Sequence, residues 1–285
     1  MTADTTYSPT TAKTQYVDAG STRYAYRRVG TAKGIPLVLL HRFRATMDWW
    51  DPAFIAALAA ERDVILFDNA GIGYTGGAPM NSVEAHATAT VAFIEALGLP
   101  QVDLLGWSFG GVVAQHVVLQ RPDLIRKLII AGAGSGTAPG MPAMPERVAN
   151  IMLKPKSDLE DVLYLFYPET EAARAKGLAH FSKIASDMPE NAPIVTQDAA
   201  MGQLAAITAS LAAPWDQVVA NLKKITLPVL YAGGAHDVMI DAFGSYAAVQ
   251  VLPNAKLVLY SDAGHAFLFQ HLDAFTAEVK TFLRA

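Results

Sequence analysis

Three residues of this chain have the types and positions to activate a nucleophile: Ser108, Asp237 and His265. Ser108 sits in Gly106-Trp107-Ser108-Phe109-Gly110, continued by Gly111, between the apolar runs Val102 to Leu105 and Val112 to Leu119. A strand, an abrupt turn and a helix are the context in which a G-x-S-x-G segment has chemical meaning. The turn lifts one hydroxyl clear of the sheet edge, and its strained backbone needs glycine at the flanks to avoid Cβ clashes. The helix that opens at Ser108 and Phe109 turns its free N–H groups towards the place where an oxyanion would form. A plain βα turn is the competing reading, and the flanking strand and helix weigh against it. A serine hydroxyl is un-ionised at neutral pH, so it needs a base within hydrogen-bond reach, and the base needs an orienting group. His265 has the right type for the base. Asp237 can hold its ring in the productive tautomer, and the order Ser, Asp, His fits one known solution to this geometry.

The other titratable residues compete less well. Of the seven histidines, His86, His116, His180 and His271 fall within predicted helices, as surface or core-edge residues. His41 and His236 join His265 at strand ends, but no H-x-x-x-H pair or second carboxylate cluster supports a metal site, and none is expected. Asp262 is a rival to Asp237, although three residues from His265 is a cramped place from which to orient its ring. Asp68 and Asn69 are read as shaping their own turn. An oxyanion hole needs two aimed N–H groups. Phe109 supplies one, and Phe43, in the loop after the Leu37 to Leu40 strand, is chosen for the other.

The elements that must position these groups are legible from periodicity. Tyr16 to Asp18 and Thr22 to Val29 alternate as an antiparallel entry hairpin. Pro36 to Leu40, Val64 to Phe67, Val102 to Leu105, Leu128 to Ala131 and Val229 to Ala232 are short apolar runs, the mark of strands buried on both faces. Lys256 to Tyr260 is the last strand. Helices are expected from Pro52 to about Ala60, from Ser82 to Leu97, from Gly110 to Gln120, and at the end with Leu268, Leu272, Phe275, Val279 and Phe282 on one face. The alternation predicts an α/β fold, a doubly wound, mostly parallel sheet of about eight strands with right-handed crossovers. Ligands of such a sheet sit outside the carboxyl ends of the strands, where Ser108, Asp237 and His265 all lie.

The rhythm breaks at Gly132 to Pro145, a linker by composition. Beyond it come predicted helices: one N-capped by Ser157 with Glu160 three residues on, Glu169 to Ile184, Ile194 to Ala213, and a short return over Asp216 to Leu222. The expected organisation is a core domain of residues 1–135 and 214–285, an inserted helical cap of residues 136–213, and a polar N-terminal tail over residues 1–15. Hydrophobic residues make up 52% of the 285 and charged ones 17%, enough for one large core. The net charge of −4 with no basic block argues against nucleic acid or an anionic membrane as partner. The absence of cysteine excludes disulfides and thiolate nucleophiles. Met1 to Gln15 lacks a signal-peptide pattern, so a cytoplasmic protein with a small-molecule substrate is expected. The sequence leaves the oligomeric state open.

Taken together, these residues resemble the α/β-hydrolase superfamily over nearly the whole chain: the elbow at Ser108, the acid at Asp237, Gly264-His265 after the last strand, and an insertion where such proteins carry a cap. Leu39-Leu40-His41 and its aromatic loop look like the superfamily's oxyanion loop, usually His-Gly-x. Asp68 to Thr75 is similar to its D-x-R-G-x-G-x-S loop. Two positions depart: Arg42 stands where glycine is usual, and Ala70 where arginine is common. A solvent-directed Arg42 is the favoured expectation, against one that alters substrate preference.

The serine nucleophile sets the chain apart from relatives that use aspartate, the haloalkane dehalogenases and epoxide hydrolases. The resemblance implies a serine hydrolase of small to medium, largely apolar carboxylic esters or lactones, working through an acyl-enzyme without a cofactor. Trp107, Trp49, Tyr164, Phe166, Met201, Trp215, Met239 and Phe267 are the expected pocket walls. The rivals are a carbon–carbon bond hydrolase, for which Arg42, Arg44 or Arg174 would hold a carboxylate, a cofactor-free haloperoxidase or perhydrolase, and a small-molecule receptor on the same scaffold.

Overall fold

The computed structural model describes residues 7–31 and 34–284. Its eight strands are β1 (Gln15–Ala19), β2 (Thr22–Gly30), β3 (Leu37–Leu40), β4 (Asp63–Phe67), β5 (Val102–Trp107), β6 (Ile125–Ala131), β7 (Val229–Gly234) and β8 (Ala255–Tyr260). They form one sheet in the order β1-β2-β4-β3-β5-β6-β7-β8. The β1–β2 and β2–β4 pairs are antiparallel and the other five are parallel. Every residue of β3, β4, β5 and β7 is buried, which is why these strands read as mostly apolar runs rather than as alternation, with the buried Asp63 and Asp103 as the charged exceptions.

Helices cover both faces. On one, α1 (Pro52–Ala59) and α11 (Leu272–Arg284) bring Phe54, Ile55, Leu58, Phe275 and Val279 onto Leu37, Leu39, Leu105 and Leu230. On the other, α2 (Val83–Ala96), α3 (Phe109–Gln120) and α9 (Ala242–Val249) close over Val38, Ile65, Leu104 and Tyr231. Ser82 caps α2, accepting from Ala85 N. The closing helix comes in two pieces: α10 (Phe267–Gln270) ends at His271 and α11 follows.

Strand order reverses between β3 and β5. The chain leaves β3 towards β4 on one side and leaves β5 towards β6 on the other, so the loops after these neighbouring strands diverge and open a crevice. Over it lies the segment between β6 and β7, with α4 (Glu146–Leu153), α5 (Leu159–Phe166), α6 (Glu171–Asp187), α7 (Gln197–Leu211) and α8 (Trp215–Leu222). Val218 and Leu222 of α8 return to the core of the second face. No helix among the described residues is long and apolar enough to cross a membrane.

Two local expectations are corrected. Of the segment read as a polar tail, residues 1–6 lie outside the described residues, but Tyr7 is buried, its hydroxyl accepting from Arg27 Nη1 at 3.2 Å, and Gln15 already belongs to β1. The same Arg27 nitrogen donates to Asp48 at 2.5 Å, so an apolar ring and a buried cation pull this stretch onto the core. The α5 cap is Asp158 with Asp161, not Ser157 with Glu160; the reciprocal bonds form one residue later. Helices α4 and α9 fall where the sequence names no particular element, α4 just after the Gly132 to Pro145 linker and α9 between β7 and β8.

Candidate active site

The elbow is built by close approach. A Cβ on Gly106 would stand 2.2 Å from Gly110 O, and one on Gly110 would stand 2.3 Å from Leu40 O. Only glycine lets α3 descend this far onto β3 and β5. Between them Ser108 takes φ 56° and ψ −124°. Ser108 and Arg44 (φ 55°) are the two non-glycine residues with left-handed φ among the described residues, and both line one cavity. Such strain concentrates where function fixes a side chain. Ser108 N donates to Ala131 O at 2.8 Å, anchoring the turn to β6.

Two backbone bonds bring Asp237 and His265 together. Ala235 N donates to Tyr260 O and His236 N to Ala263 O, both at 2.9 Å, so the loops leaving β7 and β8 stay zipped. Asp237 Oδ2 then lies 2.6 Å from His265 Nδ1, with both side chains 1% exposed. Asp237 Oδ1 accepts from Met239 N and Ile240 N at 2.9 Å each, which fixes the carboxylate. Trp107 Nε1 donates to His265 O at 3.2 Å, and Ala266 N donates to Phe166 O at 2.9 Å, tying the loop of His265 to α5. His265 Nε2 has no hydrogen-bond partner among the described residues, Ser108 Oγ included, though Ser108 and His265 line the same cavity. Such catalytic bonds commonly tighten only once substrate is bound. Asp262 is elsewhere: it bonds His271 Nε2 at 2.7 Å.

Phe109 is the first residue of α3, so its N–H has no intrahelical acceptor. Phe43 and Phe109 line the cavity beside Ser108. His86 stands edge-on to Phe109, 5.0 Å between ring centroids, and burial pushes its imidazole down to about 4. His41 lies against Trp50 and Trp107, and burial together with the Arg42 charge holds it well below the usual histidine range.

Arg42 departs from the solvent-directed expectation. Its guanidinium carbon sits 5.0 Å from the Phe166 ring centroid, 5.3 Å from Trp49 and 5.7 Å from Trp107, and Nη1 donates to Phe43 O at 2.8 Å. The cause is local: the loop carries Arg42 inward among aromatic faces that favour a cation. Arg44, on the same loop, has its N–H bonded to Gln203 Oε1 of α7 at 3.0 Å and its Nη1 to Lys154 O at 2.6 Å. Arg174 is exposed and paired with Glu160.

The cavity measures about 1880 Å³. Trp49, Tyr164, Phe166 and Met239 line it, as expected from sequence. The other four expected wall residues are corrected. Trp107 is held beneath the site by His41, Trp50 and Phe269, and Phe267 is fully buried against Tyr260 and Phe275. Met201 is 48% exposed on α7, and Trp215 packs on the second core. Val112, Met144, Phe181, Val238 and Ile240 are among the other residues of the walls. Their adjacency to the elbow and to Asp237 was a usable signal for Val112, Val238 and Ile240, whereas nothing local marks Met144 or Phe181. Among the described residues no cluster of His, Cys, Asp or Glu is arranged to hold a metal ion.

The fold is that of an α/β enzyme, and it gathers Ser108, Asp237 and His265 beyond the carboxyl edge of the sheet. A family model for the alpha/beta hydrolase fold matches residues 35–272, and the chain belongs to that family of enzymes. It is similar to a solved alpha/beta hydrolase fold protein from Chitinophaga pinensis, 33% identical, with a TM-score of 0.87 over 97% of this chain and 99% of that one. It is also 28% identical to BpoC of Mycobacterium tuberculosis, named as a candidate non-heme bromoperoxidase, over 90% of this chain and 97% of that protein. A pimeloyl-[acyl-carrier protein] methyl ester esterase from Legionella pneumophila is 24% identical over 88% of this chain and 96% of its own.

Proposed function

We propose that this chain is a serine hydrolase of small to medium, largely apolar carboxylic esters or lactones. The observation that carries this reading is the 2.6 Å contact of Asp237 Oδ2 with His265 Nδ1, beside a cavity that also holds Ser108 on a strained turn. Ser108 Oγ attacks the carbonyl as His265 Nε2 takes its proton. Asp237 holds the ring and stabilises the imidazolium. The N–H groups of Phe109 and Phe43 receive the oxyanion, a pair worth about 3 kcal/mol per donor in sites of this kind. His265 returns the proton to the leaving alkoxide. Water, activated by the same base, then cleaves the acyl-enzyme. The inserted helices α4 to α7 act as a cap that supplies an apolar roof to the acyl group.

The resemblance to BpoC favours one second reading, in which hydrogen peroxide replaces water as acyl acceptor and a peracid leaves. Assays with p-nitrophenyl esters of increasing chain length, followed by mass spectrometry after an organophosphate, test the main proposal. Burst kinetics with steady turnover and a single adduct on Ser108 are expected. Labelling absent from Ser108, or turnover unaffected by labelling, would overturn it. Added peroxide that raises ester consumption and yields peracid would move the assignment to the second reading.

A further inference from the structure

The site described so far accounts for Ser108, His265 and Asp237 but leaves unexplained the cavity cation that lies among aromatic rings, Arg42. Arg42 is charged, lies among Trp49, Trp107 and Phe166, and has no acidic partner among the described residues. Its Nη1 is committed to Phe43 O. Its Nε has no acceptor although it is buried, and Nη2 donates to nothing among the described residues.

That free edge is informative. Nε and Nη2 lie on the same side of the guanidinium and form the fork that fits a carboxylate in two parallel bonds. Among the described residues this edge is used three times elsewhere. Arg28 offers it to Asp63, Arg121 to Asp123 and Arg126 to Asp103. At Arg42 the same edge has no protein acceptor among the described residues, and the side chain lines the cavity. Burial pushes its guanidinium down to about 10. His41 nearby is kept neutral and supplies no negative charge.

Position adds to the argument. Steps of 5.0 Å and 5.4 Å through the Phe166 ring separate the guanidinium from the His265 imidazole. The loop that carries Arg42 is held by Gln203 Oε1 on Arg44 N, with Arg44 in the strained left-handed region. The cation is therefore placed rather than trailing into solvent.

Resting on the hydrolase reading above, we propose that Arg42 is a substrate-binding residue, and that the preferred substrate is an ester or lactone with a carboxylate at the end of an apolar acyl body. The Nε–Nη2 fork of Arg42 takes that carboxylate while the scissile carbonyl sits at Ser108. Trp49 and Phe166, beside the fork, line the path between the two ends.

A matched pair tests this: the mono-p-nitrophenyl ester of adipic acid against p-nitrophenyl hexanoate, which have equal acyl length and differ in the terminal charge. The readout is the ratio of their kcat/KM values in the wild type, Arg42→Met and Arg42→Lys. The wild type should prefer the anionic ester. Arg42→Met should lower the ratio by about 10- to 100-fold, the scale of a desolvated charge-assisted pair, and Arg42→Lys should fall between. The ratio cancels any general loss from disturbing Phe43. A ratio unchanged by Arg42→Met, or a wild type that prefers hexanoate, overturns the proposal while leaving the hydrolase intact. Should neither ester turn over, the hydrolase reading fails by itself. Titration calorimetry of adipate on Ser108→Ala, with and without Arg42→Met, then decides the role of Arg42: binding lost with Arg42→Met supports it, and no binding or equal binding overturns it.

Discussion

Asp237 Oδ2 meets His265 Nδ1 at 2.6 Å across 28 positions of sequence, whereas Asp262, three residues before His265, turns away onto His271. Spatial adjacency here runs opposite to sequence adjacency, because β7 and β8 are parallel neighbours and their carboxyl-end loops share an edge. Asp237→Asn should lower kcat by about 10⁴ by leaving the imidazole in the wrong tautomer. Asp262→Asn, in an exposed pair, should change kcat less than about threefold. Steady-state rates on one aryl ester check both, and the reverse ranking would assign the acid to Asp262.

Ser108 joins chemistry to strain. Ser108→Ala should reduce kcat by about 10⁴ to 10⁶ with the fold retained. Ser108→Gly removes the Cβ from a backbone at φ 56° and should be more stable than Ser108→Ala by about 1 kcal/mol. Urea melts of the two variants measure the difference. A glycine variant no more stable than the alanine one would mean the turn stores no strain.

Gly110→Ala forces a Cβ to within 2.3 Å of Leu40 O, a backbone atom that cannot move aside. Helix α3 must lift from β3, at a cost of about 3 kcal/mol or more, and turnover should go with it. Gly233→Ala is the control, since its Cβ meets only Leu259 Cδ2 at 3.6 Å. Thermal melts should separate the two by many degrees.

Two buried histidines make stability depend on pH. Burial holds His86 and His180 down to about 4, against 6.5 in the open chain. Below pH 6.5 the unfolded chain takes up protons that the folded one refuses, so the stability these rings contribute is present above 6.5 and lost as pH falls towards 4. Burial pushes Asp68 the other way, up to about 7, so its share of stability falls as pH rises from about 4 to 7. The wild-type slope therefore mixes opposite signs, and the difference between wild type and His86→Gln isolates one ring. That variant's stability relative to wild type should improve by about 2 kcal/mol between pH 7.5 and 4.5. Urea unfolding at both values reads it, and a constant difference would mean His86 titrates normally in the fold.

The sheet was readable because strands buried on both faces must be apolar throughout, and Leu37 to Leu40 or Val229 to Ala232 admit no other placement. Ser108 and Asp237 could be picked out because each follows such a strand, and His265 because it follows the last strand, the half-exposed β8. The pocket was less so. Trp107 and Phe267 lie next to Ser108 and His265 in sequence, yet the strand pleat and the start of α10 turn them under the site and into the core. Arg42 misled for a related reason: charge suggests solvent, and only the converging rings of Trp49, Trp107 and Phe166, far apart in sequence, show an interior able to hold it. Tyr7 was hidden the same way, since its partner Arg27 is 20 residues on.

The bond from Ala266 N to Phe166 O has a mechanical consequence. The residue after the base is stitched to the last turn of α5, so that helix cannot hinge outwards without tugging the imidazole out of alignment. On the proposed mechanism, a change that loosens α5 is therefore expected to lower turnover. If His265 is the base proposed above, the seating of α5 and the alignment of its imidazole become a single variable, one bond long.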